Sequence, residues 1–204
     1  MKKILCLILT LVLSLAFVSC DMLNKDGGDD NSNNGNTQDF FPKFTAAVAN
    51  SNASSVVANV TTVTELGDLT SSYAIYFAAD GSATIQYSYE RFLEIGEGNP
   101  DEITTTVSGT LYRDKDGNYS ENAGVNVSAI EAATALDITS LKSKVNINDT
   151  GDVLKVAVAK DNTANVFGAQ FASDVELTLV LDGDNLGKVM INSTEVKITY
   201  EYGN

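Results

Sequence analysis

The sequence predicts a mainly β domain built on one large, curved antiparallel sheet. Over most of the chain after residue 54, apolar and polar residues alternate with a period of two, which is typical of strands with one dry and one wet face. Asp-Gly pairs interrupt the alternation, as expected for tight turns between antiparallel strands. Segments with helical spacing are short. We therefore expect two or three short helices that cover the apolar face of the sheet.

Residues 1–19 have the pattern of a secretory signal peptide. Lys2 and Lys3 form a short basic start, and the run from Ile4 to Val18 contains no charged residue. This arrangement is typical of a cleavable export signal. The run has about 15 residues, fewer than the ~20 that a helix needs to cross a bilayer. The pattern therefore predicts export rather than a permanent membrane span.

The signal ends in Phe17-Val18-Ser19-Cys20, which resembles the lipobox of bacterial lipoproteins. The resemblance implies that a dedicated peptidase cuts before Cys20 and that this cysteine carries diacylglycerol on its sulfur. Phe17 stands where the family usually has Leu. Ordinary cleavage with release and an uncleaved anchor are the alternatives. The resemblance places the protein in the bacterial cell envelope and makes the membrane a partner through the acylated Cys20. The outer membrane is the favoured location, and Asp21 directly after Cys20 leaves retention in the inner membrane as the alternative.

Residues 20–38 predict a disordered tether. Asp, Asn and Gly dominate this stretch and almost nothing in it is apolar, so burial cannot repay the entropy of ordering it. The acidic residues Asp26, Asp29 and Asp30 resemble the export signal that some Gram-negative lipoproteins of the Bacteroidota use to reach the cell surface. A solvated spacer is the alternative, so a periplasmic and a surface-exposed orientation both stay open. A single β-rich domain is expected over residues 39–204.

The composition excludes several chemistries. The chain has no histidine, and its two cysteines are Cys6, inside the signal, and Cys20. The domain therefore has no thiol for a disulfide or a zinc site, and it lacks the commonest general base and metal ligand. From Cys20 onward 11 basic and 27 acidic residues give a net charge of −16, which repels nucleic acid. We expect no enzyme, no cofactor and no nucleic-acid partner.

The first half of the domain is predicted to be a helix followed by hairpins. Pro42 suits the first residue of a short helix that continues to about Asn50, because its missing N–H would be unpaired there. Phe44 and Val48 share one face of this helix. Strands follow, with turns at Asp80-Gly81 and Asp116-Gly117. The apolar positions of these strands are Tyr73, Ile75, Phe77, Ile85, Tyr87, Tyr89, Ile103, Val107 and Leu111.

A helical insertion is predicted between Ser128 and Val145. Ser128 and Glu131 have capping-box spacing, and Ile138, Leu141 and Val145 recur at helical intervals. One or two short helices are therefore expected in this segment.

Strands return in the last third of the domain. They are interrupted by a polar stretch at 161–165 and by a turn marked by Asp182-Gly183 and Gly187. The total is seven to nine strands. The apolar positions are Leu154, Val156, Val158, Val175, Leu177, Leu179, Leu181, Val189, Ile191, Val196, Ile198, Tyr200 and Tyr202.

The order of elements, chiefly over Asp152 to Tyr202, resembles the half-barrel fold of periplasmic lipoprotein carriers and related lipid-binding lipoproteins. The resemblance implies an apolar ligand on the concave side of the sheet. Tyr87, Tyr89, Tyr200 and Tyr202 would then line a ligand cavity. In a closed core the same tyrosines would be packing residues with their hydroxyls at the rim, which is the favoured interpretation. A closed barrel and a two-sheet sandwich are the alternative architectures.

Two groups of side-chain oxygens are candidate cation ligands. They are Asp114, Asp116 and Asn118 around one glycine, and Asp182 and Asp184 around another. The full spacing of an EF-hand loop and its terminal bidentate Glu are missing. The same residue types are favoured in hairpin turns for backbone reasons. We interpret both groups as turns and predict no metal site.

Two further groups of residues contain side chains of the types found in catalytic sites. The first group is a set of four carboxylates in and beside one predicted loop, and a pair of carboxylates is the minimum for glycoside hydrolysis. In so acidic a chain a loop collects carboxylates by chance, and the chain has no tryptophan to stack a sugar ring. Ser140 and Lys142 do not have the S-x-x-K spacing of Ser-Lys enzymes. We predict no catalytic residue. The loop carboxylates are Glu94, Glu97, Asp101 and Glu102.

Two functions are compatible with these features. The first is a membrane-anchored envelope or surface lipoprotein whose non-catalytic β domain contacts proteins, glycans or neighbouring cells. The second is a carrier or binder of lipid, or of another small hydrophobic ligand, in the periplasm. The two differ in whether the sheet encloses an apolar cavity.

Overall fold

One sheet of nine antiparallel strands makes up most of the described part of the domain. The computed structural model describes residues 39–50, 52–93, 103–120 and 136–203. The strands are β1 (Ser55–Thr62), β2 (Leu69–Phe77), β3 (Ala83–Phe92), β4 (Thr104–Arg113), β5 (Val145–Asn146), β6 (Val153–Val158), β7 (Val175–Asp182), β8 (Asn185–Asn192) and β9 (Val196–Gly203). The helices are α1 (Phe41–Ala49), a 3-10 turn (Lys160–Asn162) and α2 (Thr163–Phe167). The predicted mainly β fold with one antiparallel sheet and short helices is confirmed.

Several predicted features lie outside the described residues and stay predictions. They are the signal peptide (residues 1–19), Cys20, the tether, the loop carboxylates Glu94, Glu97, Asp101 and Glu102, and the capping box of Ser128 and Glu131.

The sheet consists of two meanders joined at its centre. Its strand order is β4-β3-β2-β1-β9-β8-β7-β6-β5. The first meander is β1 to β4 and the second is β5 to β9. They meet where β1 pairs with β9, from Ser55 opposite Gly203 to Thr62 opposite Val196. Because β4 and β5 lie at opposite ends of this order, the described strands do not close into a barrel. The alternatives of a closed barrel and a two-sheet sandwich are therefore wrong.

One face of the sheet is apolar and buried, and we call it the buried face. Directly paired residues of neighbouring strands lie on the same face. One row of such pairs runs from Tyr87 through Tyr73, Ala58 and Tyr200 to Val189. All five residues in this row are buried. The alternation in the sequence is thus the physical cause of the core, because each strand sends every second side chain to the same side.

Helix α1 covers part of the buried face at β7 and β8. Phe41, Phe44 and Ala47 are buried at intervals of three residues, which places them on one side of the helix. At the helix surface, Lys43 Nζ lies 3.3 Å from Asp152 Oδ1. The helix begins at Phe41, one residue earlier than predicted, so Pro42 is its second residue and not its first. Val48 is only half-buried, so Ala47 takes the core position expected for it.

The described part of the predicted helical insertion, residues 136–144, contains no helix. The Asp137 carboxylate accepts hydrogen bonds from the backbone N–H and the hydroxyl of Thr139, at 2.9 and 2.6 Å. Such a local side-chain bond competes with helix formation and favours a turn. Ile138 and Leu141 are still buried, while Val145 begins β5 and is exposed.

Helix α2 occupies the stretch that was predicted to be a polar connection. Val166 and Phe167 are buried, but two adjacent apolar residues are too few to produce a periodic signal in the sequence. The helix ends at Gly168, whose φ of +68° is the left-handed conformation that glycine adopts readily. The Thr163 hydroxyl is fully buried; it donates to Lys160 O at 2.7 Å and accepts from the Phe171 N–H at 3.0 Å.

The turn between β7 and β8 is tighter than the sequence suggested. Gly183 and Asp184 alone connect the strands, and Gly183 has a φ of +61°. Gly187 lies inside β8 and not in the turn. The register between β7 and β8 shifts between Val180 and Leu181, which marks a β-bulge.

Candidate binding surface on the open face

The predicted tyrosines lie on the buried face of the sheet and differ in exposure. Tyr87 and Tyr200 are 9% and 1% exposed, whereas Tyr89 and Tyr202 are half-buried. Tyr87 and Tyr89 are adjacent on β3, with ring centroids 6.1 Å apart in a stacked arrangement. Tyr200 pairs with Ala58 of β1 and Val189 of β8. The structure therefore places the two pairs on different strands of one apolar face.

Tyr87 packs across the backbone of the neighbouring strand. It pairs with Gly109 of β4, and its ring lies directly over the position that a Cβ would occupy at this glycine. A Cβ built there would come within 2.7 Å of Tyr87 Cζ. The glycine thus provides the space for the tyrosine ring, an arrangement in which a missing side chain matters for packing.

Burial changes the ionisation of two tyrosines. Loss of solvent raises the pKa of the Tyr200 hydroxyl well above its ordinary value, and the nearby Tyr202 raises it further. Burial also raises the pKa of Tyr202. The neutral form is favoured because a phenolate would lose its hydration in this environment. These groups therefore cannot act as bases near neutral pH.

The Asp114 carboxylate is used by its own turn. It accepts hydrogen bonds from the backbone N–H groups of Asp116 and Asn118, at 2.9 and 2.8 Å, and from the Asn118 side-chain amide. The Asn118 amide is the main cause that lowers the pKa of Asp114. Since donors already surround these oxygens, they act as acceptors within the turn, in line with the interpretation adopted from the sequence.

The second candidate group is also a turn. Asp182 ends β7 and pairs with Asn185, the first residue of β8. Asp184 is almost fully exposed, and its carboxylate lies 3.9 Å from Lys43 Nζ. Over the described ranges of the chain, no three His, Cys, Asp or Glu side chains are grouped so that they could hold a metal ion.

Ser140 and Lys142 belong to the irregular segment before β5. The Ser140 hydroxyl is buried, with no hydrogen-bond partner among the described residues, and Lys142 is exposed. The Ser140 carbonyl accepts a 3.5 Å hydrogen bond from the Asn162 side chain. This bond ties the segment to the 3-10 turn and gives Ser140 a position in packing.

We expect the domain to lose stability as the pH falls below about 4. The pKa values of Asp80, Asp114 and Glu90 lie below their ordinary values of 3.8 for Asp and 4.5 for Glu, because each carboxylate accepts hydrogen bonds in the folded state. A lowered folded pKa means that the unfolded chain binds protons more readily. The stabilisation is thus complete above the unfolded pKa and is lost as the pH falls through the folded value.

Urea unfolding at about pH 7 and about pH 3 measures this loss as a lower midpoint at the acidic pH. Asp114→Asn serves as a comparison, because its amide does not take up a proton between these pH values, so its midpoint should fall less. Equal midpoints for the original chain at both pH values would contradict the expectation.

The opposite side of the sheet, which we call the open face, is polar. Over β1 to β4 it carries mostly Ser, Thr, Asn and Gln, and Glu90 is its one charged residue among the described strand positions. Both the backbone N–H and the hydroxyl of Thr70 donate to Glu90, at 2.8 and 2.7 Å. We call this region the neutral patch. The open face over β6 to β9 differs, since it contains the ion pairs Lys155–Glu176 and Lys188–Glu201.

Two exposed tyrosines stand on the neutral patch. Tyr76 of β2 pairs with Thr84 of β3, which pairs with Tyr112 of β4. The three side chains therefore form one row across three strands. Tyr76 and Tyr112 are 49% and 58% exposed, while Thr84 between them is half-buried. Two strand spacings separate the tyrosines, roughly 10 Å. The two exposed tyrosine rings therefore flank the less exposed Thr84, which forms the floor of the row.

A shallow depression of about 480 Å³ adjoins this row at the end of β4. Thr84 and Tyr112 line it together with the charged residues Arg113 and Asp114 and the turn residues Asn118 and Ser120. The Ser120 hydroxyl accepts a hydrogen bond from the Tyr112 N–H at 3.0 Å, and the Ser120 N–H donates to Tyr112 O at 2.7 Å. These bonds hold the turn beside the tyrosine. The arrangement can contact a ligand through aromatic rings and neutral polar groups.

Tyr76 and Tyr112 are not among the site residues predicted from the sequence. Their position on the opposite face could have been read from the sequence. Tyr76 lies between the inward positions Ile75 and Phe77, and Tyr112 directly follows the inward Leu111. In a strand with period two, such residues must point to the opposite face. Large aromatic residues on a face predicted to be wet are the observation that identifies this surface.

Comparison with known proteins gives a solved structure of low similarity to this chain. No protein-family model and no curated protein sequence matches the chain. The crystal structure of LprF from Mycobacterium bovis is similar to this chain at a TM-score of 0.39 and 10% sequence identity, covering 81% of this chain and 91% of that one. Within the described ranges, neither helix has the length and apolar character needed to cross a membrane.

Proposed function

We propose that this protein is a lipid-anchored lipoprotein of the bacterial envelope whose β domain is a non-catalytic binding module. The residues Phe17-Val18-Ser19-Cys20 support the anchor, and the acidic, glycine-rich stretch after them supports a tether. The outer membrane is the proposed location. The domain has no histidine and no cysteine beyond Cys20, which supports binding rather than catalysis.

The neutral patch is the observation that carries the proposal of a binding module. The chain has a net charge of −14, yet this part of the open face is almost free of charge. It also exposes Tyr76 and Tyr112, which are 49% and 58% exposed and are therefore not core residues. Tyrosine is among the residues enriched at binding surfaces, because it offers a large rigid contact area with a polar end.

The packing of the buried face favours this module over a lipid carrier. Tyr73, Tyr87 and Tyr200 lie on the buried face, on β2, β3 and β9, and are at most 9% exposed. Side chains with so little exposure act as core residues. The half-buried Tyr89 and Tyr202 are the observation that keeps the carrier as the second candidate, because they extend from the core toward solvent.

A Cys20→Ala variant is expected to accumulate as an unprocessed precursor and to lose covalent acylation completely, because the sulfur that would carry the lipid is gone. Mass spectrometry of the protein recovered from membranes measures both effects. Cys6→Ala is the matched control, since it removes the other cysteine from inside the signal and should be processed and acylated normally. Normal cleavage and release of Cys20→Ala would show that the anchor proposal is wrong.

Extraction of the purified full chain with organic solvent separates the two candidate functions. For a binding module, the extract should contain no stoichiometric lipid, because covalently attached acyl chains stay on the protein. A stoichiometric amount of non-covalent lipid would contradict the module and support the carrier.

A further inference from the structure

We infer that the row Tyr76–Thr84–Tyr112 is a binding site for a neutral carbohydrate chain. The inference rests on the proposed function and names the ligand class of that module. Its geometric basis is the alignment of the three residues across β2, β3 and β4. Two exposed aromatic rings flank a lower polar floor, and a depression extends from the same row.

The chemistry of the row fits the two kinds of surface that a sugar ring presents. A pyranose has an apolar face of C–H groups and a rim of hydroxyls. The face of a tyrosine ring is apolar and carries partial negative charge, so it attracts the C–H face of a sugar. Two such rings roughly 10 Å apart can contact two sugar units of one extended chain, with the linkage passing over Thr84.

Polar groups beside the row are available to the hydroxyl rim. Thr84, Gln86 and Thr110 form no hydrogen bond through their side chains to any other described residue. Gln86 and Thr110 are direct cross-strand partners, two residues along the strands from Thr84 and Tyr112. Hydroxyl and amide groups both donate and accept, which matches a ligand whose hydroxyls do the same.

The charge of the surface selects for a neutral ligand. An anionic polysaccharide or a nucleic acid would approach a chain of net charge −14 and is disfavoured by long-range repulsion. The row itself carries no charged side chain. Arg113 and Asp114 line the adjoining depression, where the Asp114 carboxylate already accepts hydrogen bonds from its own turn. Glu90, the one charged residue of the patch, already accepts two hydrogen bonds from Thr70.

A protein partner fits this surface less well. The cores of protein interfaces are apolar and depleted in serine, whereas here a threonine separates the two tyrosines and Ser and Thr occupy the neighbouring positions. Tyr76 and Tyr112 therefore do not form one contiguous apolar patch. Separate aromatic platforms between hydroxyl groups suit a ligand whose own surface alternates between apolar and polar.

Affinity electrophoresis of the full chain in a neutral detergent tests this site. The neutral probes are cello-oligosaccharide, laminarin, α-mannan and galactan, and the anionic comparisons are heparin and polygalacturonate. Isothermal titration then gives the dissociation constant for each probe that retards the protein. We expect retardation by at least one neutral probe and by neither anionic one.

The variants assign the binding to the row. Tyr76→Ala and Tyr112→Ala should each weaken binding by about tenfold, which corresponds to about 1.4 kcal/mol. Tyr76→Phe and Tyr112→Phe keep the rings and should stay within about threefold of the original affinity, less than 0.7 kcal/mol. Leu66→Ala is the matched control, because Leu66 is a large exposed residue outside the row, and its affinity should not change.

Three results would overturn the assignment. They are the absence of retardation by every neutral probe, binding that survives the double Tyr→Ala variant, and Tyr-dependent capture of a protein instead of a glycan. The last two leave the binding module intact and reject only this site or this ligand class. Normal cleavage and release of Cys20→Ala would reject the anchored lipoprotein but would leave the carbohydrate site unaffected. The two proposals can therefore fail separately.

Discussion

A Phe44→Ala variant is expected to lose about 3–5 kcal/mol of its free energy of unfolding. Phe44 is 0% exposed and belongs to α1, which packs against β7 and β8. Truncation to alanine removes the transfer free energy of the ring and leaves a cavity between helix and sheet, which the surrounding strands can fill only partly. Domains of this size have a total stability of about 5–15 kcal/mol, so the loss is a large part of it.

Urea unfolding followed by circular dichroism measures the effect. Leu66→Ala is the control, because its side chain is 71% exposed and its removal should change the free energy of unfolding by less than about 0.5 kcal/mol. If Phe44→Ala costs no more than the control, α1 does not stabilise the sheet in the manner described.

A Gly109→Ala variant is expected to destabilise the domain by about 1–3 kcal/mol. An alanine in a strand is ordinarily favoured over glycine by about 0.5–1 kcal/mol, because it loses less conformational freedom on folding. Here the new Cβ would lie within 2.7 Å of Tyr87 Cζ, so the tyrosine ring must leave its place over the strand. The cost of displacing a buried ring exceeds the entropic gain, and the sign of the effect reverses.

A double-mutant cycle with Tyr87→Leu separates steric from general effects. In the Tyr87→Leu background the ring is absent, so adding Gly109→Ala should cost little or should stabilise the domain. Thermal or urea unfolding of the four proteins gives the interaction energy. Equal costs of Gly109→Ala in both backgrounds would show that the contact with Tyr87 is not the cause.

The strands were predictable because their signal is local. Alternation placed Tyr73 and Ile75 on one side of β2, and the Asp80-Gly81 turn fixed where β3 begins; both agree with the structure. The pairing of β1 with β9 was not predictable in this way. It joins residues about 140 apart in sequence, and alternation within a strand carries no information about which distant strand is its neighbour.

The errors occurred where side chains compete with backbone periodicity. Ile138 and Leu141 have helical spacing, but the Asp137 carboxylate bonds to Thr139 and produces a turn instead. Helix α2 buries two apolar side chains, Val166 and Phe167, which are too few to produce a helical pattern in the sequence. The tyrosines of the buried face were found from the sequence because they alternate with polar residues. Tyr76 and Tyr112 were not predicted as a site, because only the register of three strands shows that they lie in one row.

The junction of β1 and β9 has a consequence for how the chain folds. The two strands at the centre of the sheet are the first and the last along the chain, so the ribosome must complete Gly203 before the two meanders can join. Contacts of such long sequence separation fold slowly, because the loop between them loses entropy before any pairing compensates for it. A chain with this topology therefore cannot complete its sheet until synthesis has reached the end of β9.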